Sequence, residues 1–162
     1  MLVIDDNPGD VTLLREAFME VQIPLDLLVA ENAVQAYAMM RDIPESKAPD
    51  IILIDLNLPV IKGQAVLREL SDFHPWRKSR KVVLSSSAAS HEIAECLRLG
   101  AHEYVVKPTE FDDYIELARR LGCPVSGSTA RFRKDASSST IPAAATRRVR
   151  PASGSSQFRH TT

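Results

Sequence analysis

Cysteine is nearly absent from this chain: Cys96, inside a helical pattern, and Cys123, in a polar stretch, are the whole complement. Two thiols so placed give neither a disulfide framework nor zinc-ligand spacing, so a reducing cytoplasm is the expected compartment. Long apolar runs are missing too. The opening segment Met1-Leu2-Val3-Ile4-Asp5-Asp6 is too short and too acidic for a signal peptide, and the sequence reads as soluble, with no membrane partner. His74, His91, His102 and His160 share no metal-ligand spacing. Glycine is scarce, and the turn Asp5-Asp6-Asn7-Pro8-Gly9 is acidic where a nucleotide-phosphate cradle would be rich in glycine and hydroxyls.

With 162 residues, 44% of them apolar, the chain has material for one core and not comfortably for two. The overall charge of −1 conceals two unlike parts. From Gly122 onward, seven basic residues (Arg131, Arg133, Lys134, Arg147, Arg148, Arg150, Arg159) face one acid, Asp135, a net of +6; removing that from −1 leaves −7 on residues 1–121. Residues 122–162 have no apolar periodicity and contain the runs Ser137-Ser138-Ser139 and Ala143-Ala144-Ala145. Such a segment buries too little apolar area to offset the entropy of ordering it, and a disordered basic tail is expected. Its charges are dispersed and only Phe132 and Phe158 can stack, which makes a nucleic-acid role the weaker expectation.

Residues 1–121 alternate short apolar runs with helical periodicity, the pattern of a parallel sheet covered on both faces. The runs fall at 1–5, 26–30, 50–55, 81–85 and 102–106. Between them, apolar residues recur at three- and four-residue steps: Val11, Leu14, Phe18 and Val21; Ala33, Tyr37 and Met40; Val66, Leu70 and Phe73; Ile93, Ala94 and Leu97; Phe111, Ile115 and Ala118. Gly100 stands where the fourth helix needs a left-handed cap, and Thr109 with Asp112 has the spacing of a capping box for the fifth. The connections at 42–49 and 74–80 read as surface loops, and the basic stretch Arg77-Lys78-Ser79-Arg80-Lys81 beside Trp76 reads as solvated.

Chemistry-bearing residues gather at the ends of these runs. Asp5-Asp6 close the first, Asp55 the third, Ser85 the fourth, and Lys107-Pro108 the fifth. The carboxyl ends of parallel strands are where open α/β sheets bind ligands. These matches, in order and in register, resemble the receiver domains of two-component response regulators across about residues 1–121. The stretches Asp6-Asn7-Pro8-Gly9-Asp10 and Asp55-Leu56-Asn57-Leu58-Pro59 further resemble the single-domain regulators that accompany bacterial phytochrome-type histidine kinases.

The resemblance implies a flavodoxin-like, doubly wound (βα)5 fold with a five-stranded parallel sheet in the order 2-1-3-4-5. It implies Asp55 as phosphoacceptor, with Lys107 and Ser85 supplying a cation and a hydroxyl to the phosphoryl oxygens. It implies Mg2+ held directly by Asp6 and Asp55, through water by Asp5, and by the backbone carbonyl of Asn57. Ser85 and Tyr104 match a coupled switch pair, with Tyr104 expected to turn inward from an exposed position as Ser85 vacates space. The Lys107–Pro108 bond is expected to be cis, and Gly63 to let the chain turn into the third helix. The implied partners are a sensor histidine kinase and a second copy of the chain through the fourth helix, fifth strand and fifth helix. Lys62 departs from the family pattern, which often has an acid there.

A Mg2+-dependent phosphohydrolase with an aspartyl nucleophile is the competing reading. Such enzymes need a second acid two residues after the nucleophile, and that position holds Asn57. The residues therefore favour a phosphoacceptor switch over a turnover enzyme. With no second folded domain expected after residue 121, output is expected through protein contacts.

Overall fold

A computed structural model describes residues 1–122. The expected tail lies outside the described residues apart from Gly122, and Cys123 lies outside with it.

Five strands alternate with five α-helices: β1 Leu2–Ile4, α1 Pro8–Glu20, β2 Leu28–Ala30, α2 Ala33–Asp42, β3 Ile51–Asp55, α3 Gly63–Asp72, β4 Arg80–Ser85, α4 Ser90–Arg98, β5 Glu103–Val106 and α5 Phe111–Gly122. All neighbouring strands pair in parallel, in the order β2-β1-β3-β4-β5. Strand side chains alternate between faces. Leu2, Ile4, Ile52, Ile54 and Val83 therefore meet Ala33, Ala36, Met40, Val66, Leu67, Leu70 and Cys96 on one side of the sheet. Val3, Leu53, Val82 and Leu84 meet Val11, Leu14, Phe18, Tyr114, Leu117 and Leu121 on the other. Both faces of β1, β3 and β4 are covered, which is why those runs are continuously apolar.

Local signals explain most boundaries. The Asn7 side chain accepts from the Gly9 N–H at 2.9 Å, and Pro8 opens α1 where its missing N–H costs nothing. At Gly100, φ is +100°, and the N–H groups of Gly100 and Ala101 close back on Leu97 and Cys96, the glycine-capped helix end expected there.

Several expectations do not hold. The Thr109–Asp112 capping box is absent among the described residues: α5 starts at Phe111, and the Glu110 carbonyl accepts the first helical N–H groups. No peptide bond among the described residues is cis, so Lys107–Pro108 is trans. The connection at 42–49 is the surface loop expected, with a 3-10 turn at Glu45–Lys47, whereas that at 74–80, with a 3-10 turn at His74–Trp76, is buried in part. Trp76 is fully buried edge-on to Phe73, its Nε1–H without a partner among the described residues, and Lys81 is buried on β4, so the basic stretch is solvated only in part. The faces of α4 and α5 match the expected ones only in part. On α5 the expected Ala118 is buried and Ile115 packs on the core, joined there by Tyr114, Leu117 and Leu121; Cys96 is buried on α4, while Leu97 and Phe111 are exposed.

Candidate functional site

The strand order places the carboxyl ends of β1 and β3 side by side with β4 and β5 beyond, so the crevice at the β1/β3 switch point collects the acids. Asp5 follows β1 directly and its N–H continues the ladder to the Ala30 carbonyl at 3.0 Å. Asp55 is the last residue of β3. Both are almost fully buried, 3% and 4% exposed, whereas Asp6 is exposed. The two buried carboxylates are held alike. One oxygen of each, Oδ1, accepts the N–H two residues ahead: Asn7 on Asp5 at 2.8 Å and Asn57 on Asp55 at 2.9 Å. Each is thereby locked in an Asx-type turn with its second oxygen free for other work.

Those second oxygens point at one cation. Lys107 Nζ lies 3.0 Å from Asp5 Oδ2 and 2.8 Å from Asp55 Oδ2. The Lys107 N–H donates to the Ser85 carbonyl at 2.7 Å, which carries the chain past β5 at the height of the site, and the lysine reaches both acids across a trans Lys107–Pro108 bond. Burial acts to lower the ammonium pKa, but the hydrogen bonds it donates to Asp10, Asp55 and Asp5 outweigh it and raise it. Asp5 moves up as well: burial dominates, opposed by the Asn7 N–H and Lys107.

Two residues at the site have no role assigned from the sequence, Asp10 entering only as the end of the Asp6-Asn7-Pro8-Gly9-Asp10 stretch. Asp10, in the first turn of α1, puts Oδ2 at 2.7 Å from Lys107 Nζ, and its Oδ1 accepts from the Tyr114 hydroxyl of α5 at 3.1 Å. Burial first, then Asp10, pushes the Tyr114 phenol up to about 12. A signal for Asp10 exists in its spacing from the Asn7 cap, which turns it back over the strand tips. Tyr114 had none, because Phe111, Ile115 and Ala118 already make a regular stripe without it.

Ser85 and Tyr104 are joined through a third residue. The Ser85 side chain, 1% exposed, accepts from the Ser87 N–H at 3.2 Å, and the Tyr104 hydroxyl donates to the Ser87 carbonyl at 2.8 Å. Tyr104 is half-buried and packs on the core, so it is not in the exposed position expected of it. The contact between the two runs through Ser87 backbone groups rather than through shared space.

Gly63 opens α3 without a positive φ; what it needs is room. A Cβ there would collide with the Asp55 carbonyl and lie 2.7 Å from Leu56 Cα, so glycine lets the helix abut the end of β3. Lys62 precedes it at the helix start. Asn57 directs its side-chain N–H toward Ser86 Oγ at 3.4 Å.

Carboxylate oxygens of Asp5, Asp6 and Asp55 lie within 4.8 Å of one another. All-oxygen donors, two of them pre-oriented, fit a hard divalent cation.

Comparison with known proteins agrees with this geometry. The family described as "Response regulator receiver domain" matches residues 1–119. The chain is similar to response regulator Rcp1 of Synechocystis, 25% identical over 75% of this chain and 84% of that protein; a structure of Rcp1 in its Mn2+-bound form superposes with a TM-score of 0.64. The phosphorylated cyanobacterial phytochrome response regulator RcpA is 28% identical, with a TM-score of 0.66 over 74% of this chain and 88% of that one. Response regulator RPA3017, from red light signalling of R. palustris, is 31% identical with the same TM-score and coverage. A parallel 2-1-3-4-5 sheet with its acids and lysine gathered at the β1/β3 crevice and this family match lead to one conclusion: the chain belongs to the response regulator receiver domains, the phosphoacceptor modules of two-component signal transduction.

Proposed function

We propose that Asp55 is the phosphoacceptor. The observation that supports this most is the Lys107 ammonium at 2.8 Å from Asp55 Oδ2, beside a carboxylate cluster suited to a divalent cation. An Asp55 carboxylate oxygen attacks the phosphorus of the donor, the acyl phosphate bond forms, and the bond from phosphorus to the leaving atom breaks with its electron pair departing on that atom. Lys107 neutralises one phosphoryl oxygen and the Ser85 hydroxyl donates to another. Asp6 and Asp55 would hold Mg2+, with Asp5 acting through water and the Asn57 carbonyl as a further ligand; when bound, the ion would offset the repulsion between nucleophile and phosphoryl oxygens.

The donor is a sensor histidine kinase of the phytochrome type, as similarity to Rcp1, RcpA and RPA3017 supports, and the setting is cytoplasmic. Output passes through Ser85, Ser87 and Tyr104 to the face formed by α4, β5 and α5. That face exposes Leu97, Val106 and Phe111, apolar side chains suited to a second copy of the chain. The switch reading is favoured over phosphohydrolase turnover because Asn57 can neither donate nor accept a proton as a general acid/base.

The test is incubation with acetyl phosphate and Mg2+, followed by mass spectrometric location of the phosphoryl group. Label on Asp55, lost in Asp55→Asn, is the expected result. Equal labelling of Asp55→Asn overturns the assignment.

A further inference from the structure

Lys107 has three N–H donors, and three carboxylates surround it: Asp10 at 2.7 Å, Asp55 at 2.8 Å and Asp5 at 3.0 Å. Asp5 and Asp55 belong to the carboxylate group that can share a cation; Asp10 does not. Its two oxygens are committed elsewhere, Oδ2 to Lys107 and Oδ1 to the Tyr114 hydroxyl, which belongs to a side chain only 2% exposed and 104 residues away.

We propose that Asp10 and Tyr114 are positioning residues for Lys107: Asp10 keeps the ammonium at the site when Asp5 and Asp55 turn to metal and phosphoryl group, and Tyr114 fixes the plane of the Asp10 carboxylate. The inference rests on the reading of Asp55 as phosphoacceptor. Its physical basis is that a lysine side chain is a flexible four-carbon stem with a point charge and needs anchoring to act at a defined place. Once Asp55 Oδ2 is phosphorylated or metal-bound, the donor that served it turns to a phosphoryl oxygen. The Asp10 bond is the contact that this chemistry leaves intact. Tyr114 suits its role because it is buried in the same apolar cluster as Val11, Leu14 and Leu117, which restrains its hydroxyl. Asp10 sits on α1 and Tyr114 on α5, and the pair therefore ties the lysine to two helices on one face of the sheet.

The experiment uses the full chain and two readouts. The first is the Lys107 side-chain NH3+ resonance and its hydrogen exchange, which needs no phosphoryl chemistry. The second is the rate of Asp55 labelling by acetyl phosphate with Mg2+, as a function of donor concentration, well below the melting temperature. Tyr114→Phe retains the packed ring. It is expected to shift the Lys107 resonance, speed its exchange, and lower the maximal labelling rate about threefold with donor half-saturation unchanged. Asp10→Asn is expected to lower that rate about tenfold, while half-saturation drops because a negative charge has left an anion-binding site. Asp10→Glu, which keeps the charge, is expected to recover part of the rate.

An unchanged Lys107 resonance and rate in folded Tyr114→Phe would overturn the proposal, as would a lowered melting temperature with unaltered labelling, since that is what a merely structural hydrogen bond gives. If Asp10→Asn does not fold, the Tyr114→Phe result decides. If wild type takes no label on Asp55, the functional reading fails, and the Lys107 resonance still decides whether Asp10 and Tyr114 hold it.

Discussion

The two ends of the β4–β5 pair solve opposite electrostatic problems. At the carboxyl end, the ammonium of Lys107 serves Asp5, Asp10 and Asp55, with Asp6 nearby, so the anions stay only partly neutralised. At the amino end the ratio inverts. The Glu103 carboxylate bridges Arg80 and Arg120, and buried Lys81 is capped by the carbonyls of Arg77 and Ser79 at 3.1 and 3.2 Å. Cations outnumber anions there, yet neutral carbonyls complete the coordination. The difference teaches why one end is reactive: unspent negative charge attracts a divalent ion, whereas a charge satisfied by backbone dipoles attracts nothing.

The sharpest way to break this comparison is to delete one lysine from each end. Lys107→Met leaves crowded carboxylates without their cation and is expected to cost about 2–3 kcal/mol, below the fully buried limit because the Lys107 side chain is 15% exposed. Lys81→Met exchanges an ammonium for a thioether of similar length and strands two carbonyls, and a net change within about 1 kcal/mol is expected. Chemical denaturation at pH 7 without divalent ions checks both. Equal losses would mean that the two ends do not differ in the way described.

Added Mg2+ extends the test to the ion itself. It is expected to stabilise wild type by about 2.7 kcal/mol at a hundred times its dissociation constant. Lys107→Met should bind it more tightly, since no ammonium competes for Asp5 and Asp55. Asp6→Ala should abolish the gain. A Mg2+-induced rise in melting temperature that survives in Asp6→Ala places the ion elsewhere.

The strand tips were legible in the sequence because apolar runs on buried strands are continuous and their polar ends stand out, which is how Asp5, Asp55, Ser85 and Lys107 appear as a set. The helix faces were legible only where the sheet covers them fully. On α1 and α3 the apolar stripe is the buried one. On α4 and α5 the expected stripes include Leu97 and Phe111, which are exposed, because periodicity cannot tell a core face from a surface available to a partner. The Asp10–Tyr114 and Ser87–Tyr104 bonds escaped for a related reason: they join residues 104 and 17 positions apart, and no spacing rule reaches so far.

Backbone strain also differs between the ends. Val60, in the loop that leaves Asp55, has φ +66° and a wholly exposed side chain, an unfavourable conformation for a β-branched residue. At the opposite end, Gln22, between α1 and β2, has φ +56° but is unbranched. Val60→Gly is expected to raise stability by about 1 kcal/mol, the relieved strain exceeding the added chain entropy, and Gln22→Gly by about half as much. Thermal melts of the two variants rank them. A destabilised Val60→Gly would show that the added chain entropy of glycine outweighs the relieved strain.

The smallest effect concerns pH at the amino end. His102 Nδ1 accepts the Lys81 N–H at 3.1 Å, and the His102 N–H donates to the Lys81 carbonyl at 2.8 Å. Burial first, then the charges of Lys81 and Arg80, lower the imidazole pKa from its ordinary 6.5. Above that value the ring is neutral in both folded and unfolded chains and contributes no pH dependence. As pH falls from about 6.5 through the lowered folded value, the unfolded chain takes up the proton first, so stability is lost; below the folded value the loss levels off. The ring is largely exposed, so solvent screening keeps the total to about 0.5 kcal/mol. The informative quantity is the stability of wild type minus that of His102→Gln, measured between pH 7.5 and pH 5, because the pH dependence common to both proteins cancels in it. That difference is expected to shift against wild type on acidification. A difference independent of pH would mean that His102 takes up its proton equally in the folded and unfolded chains, and that its burial against Lys81 carries no pH-dependent cost.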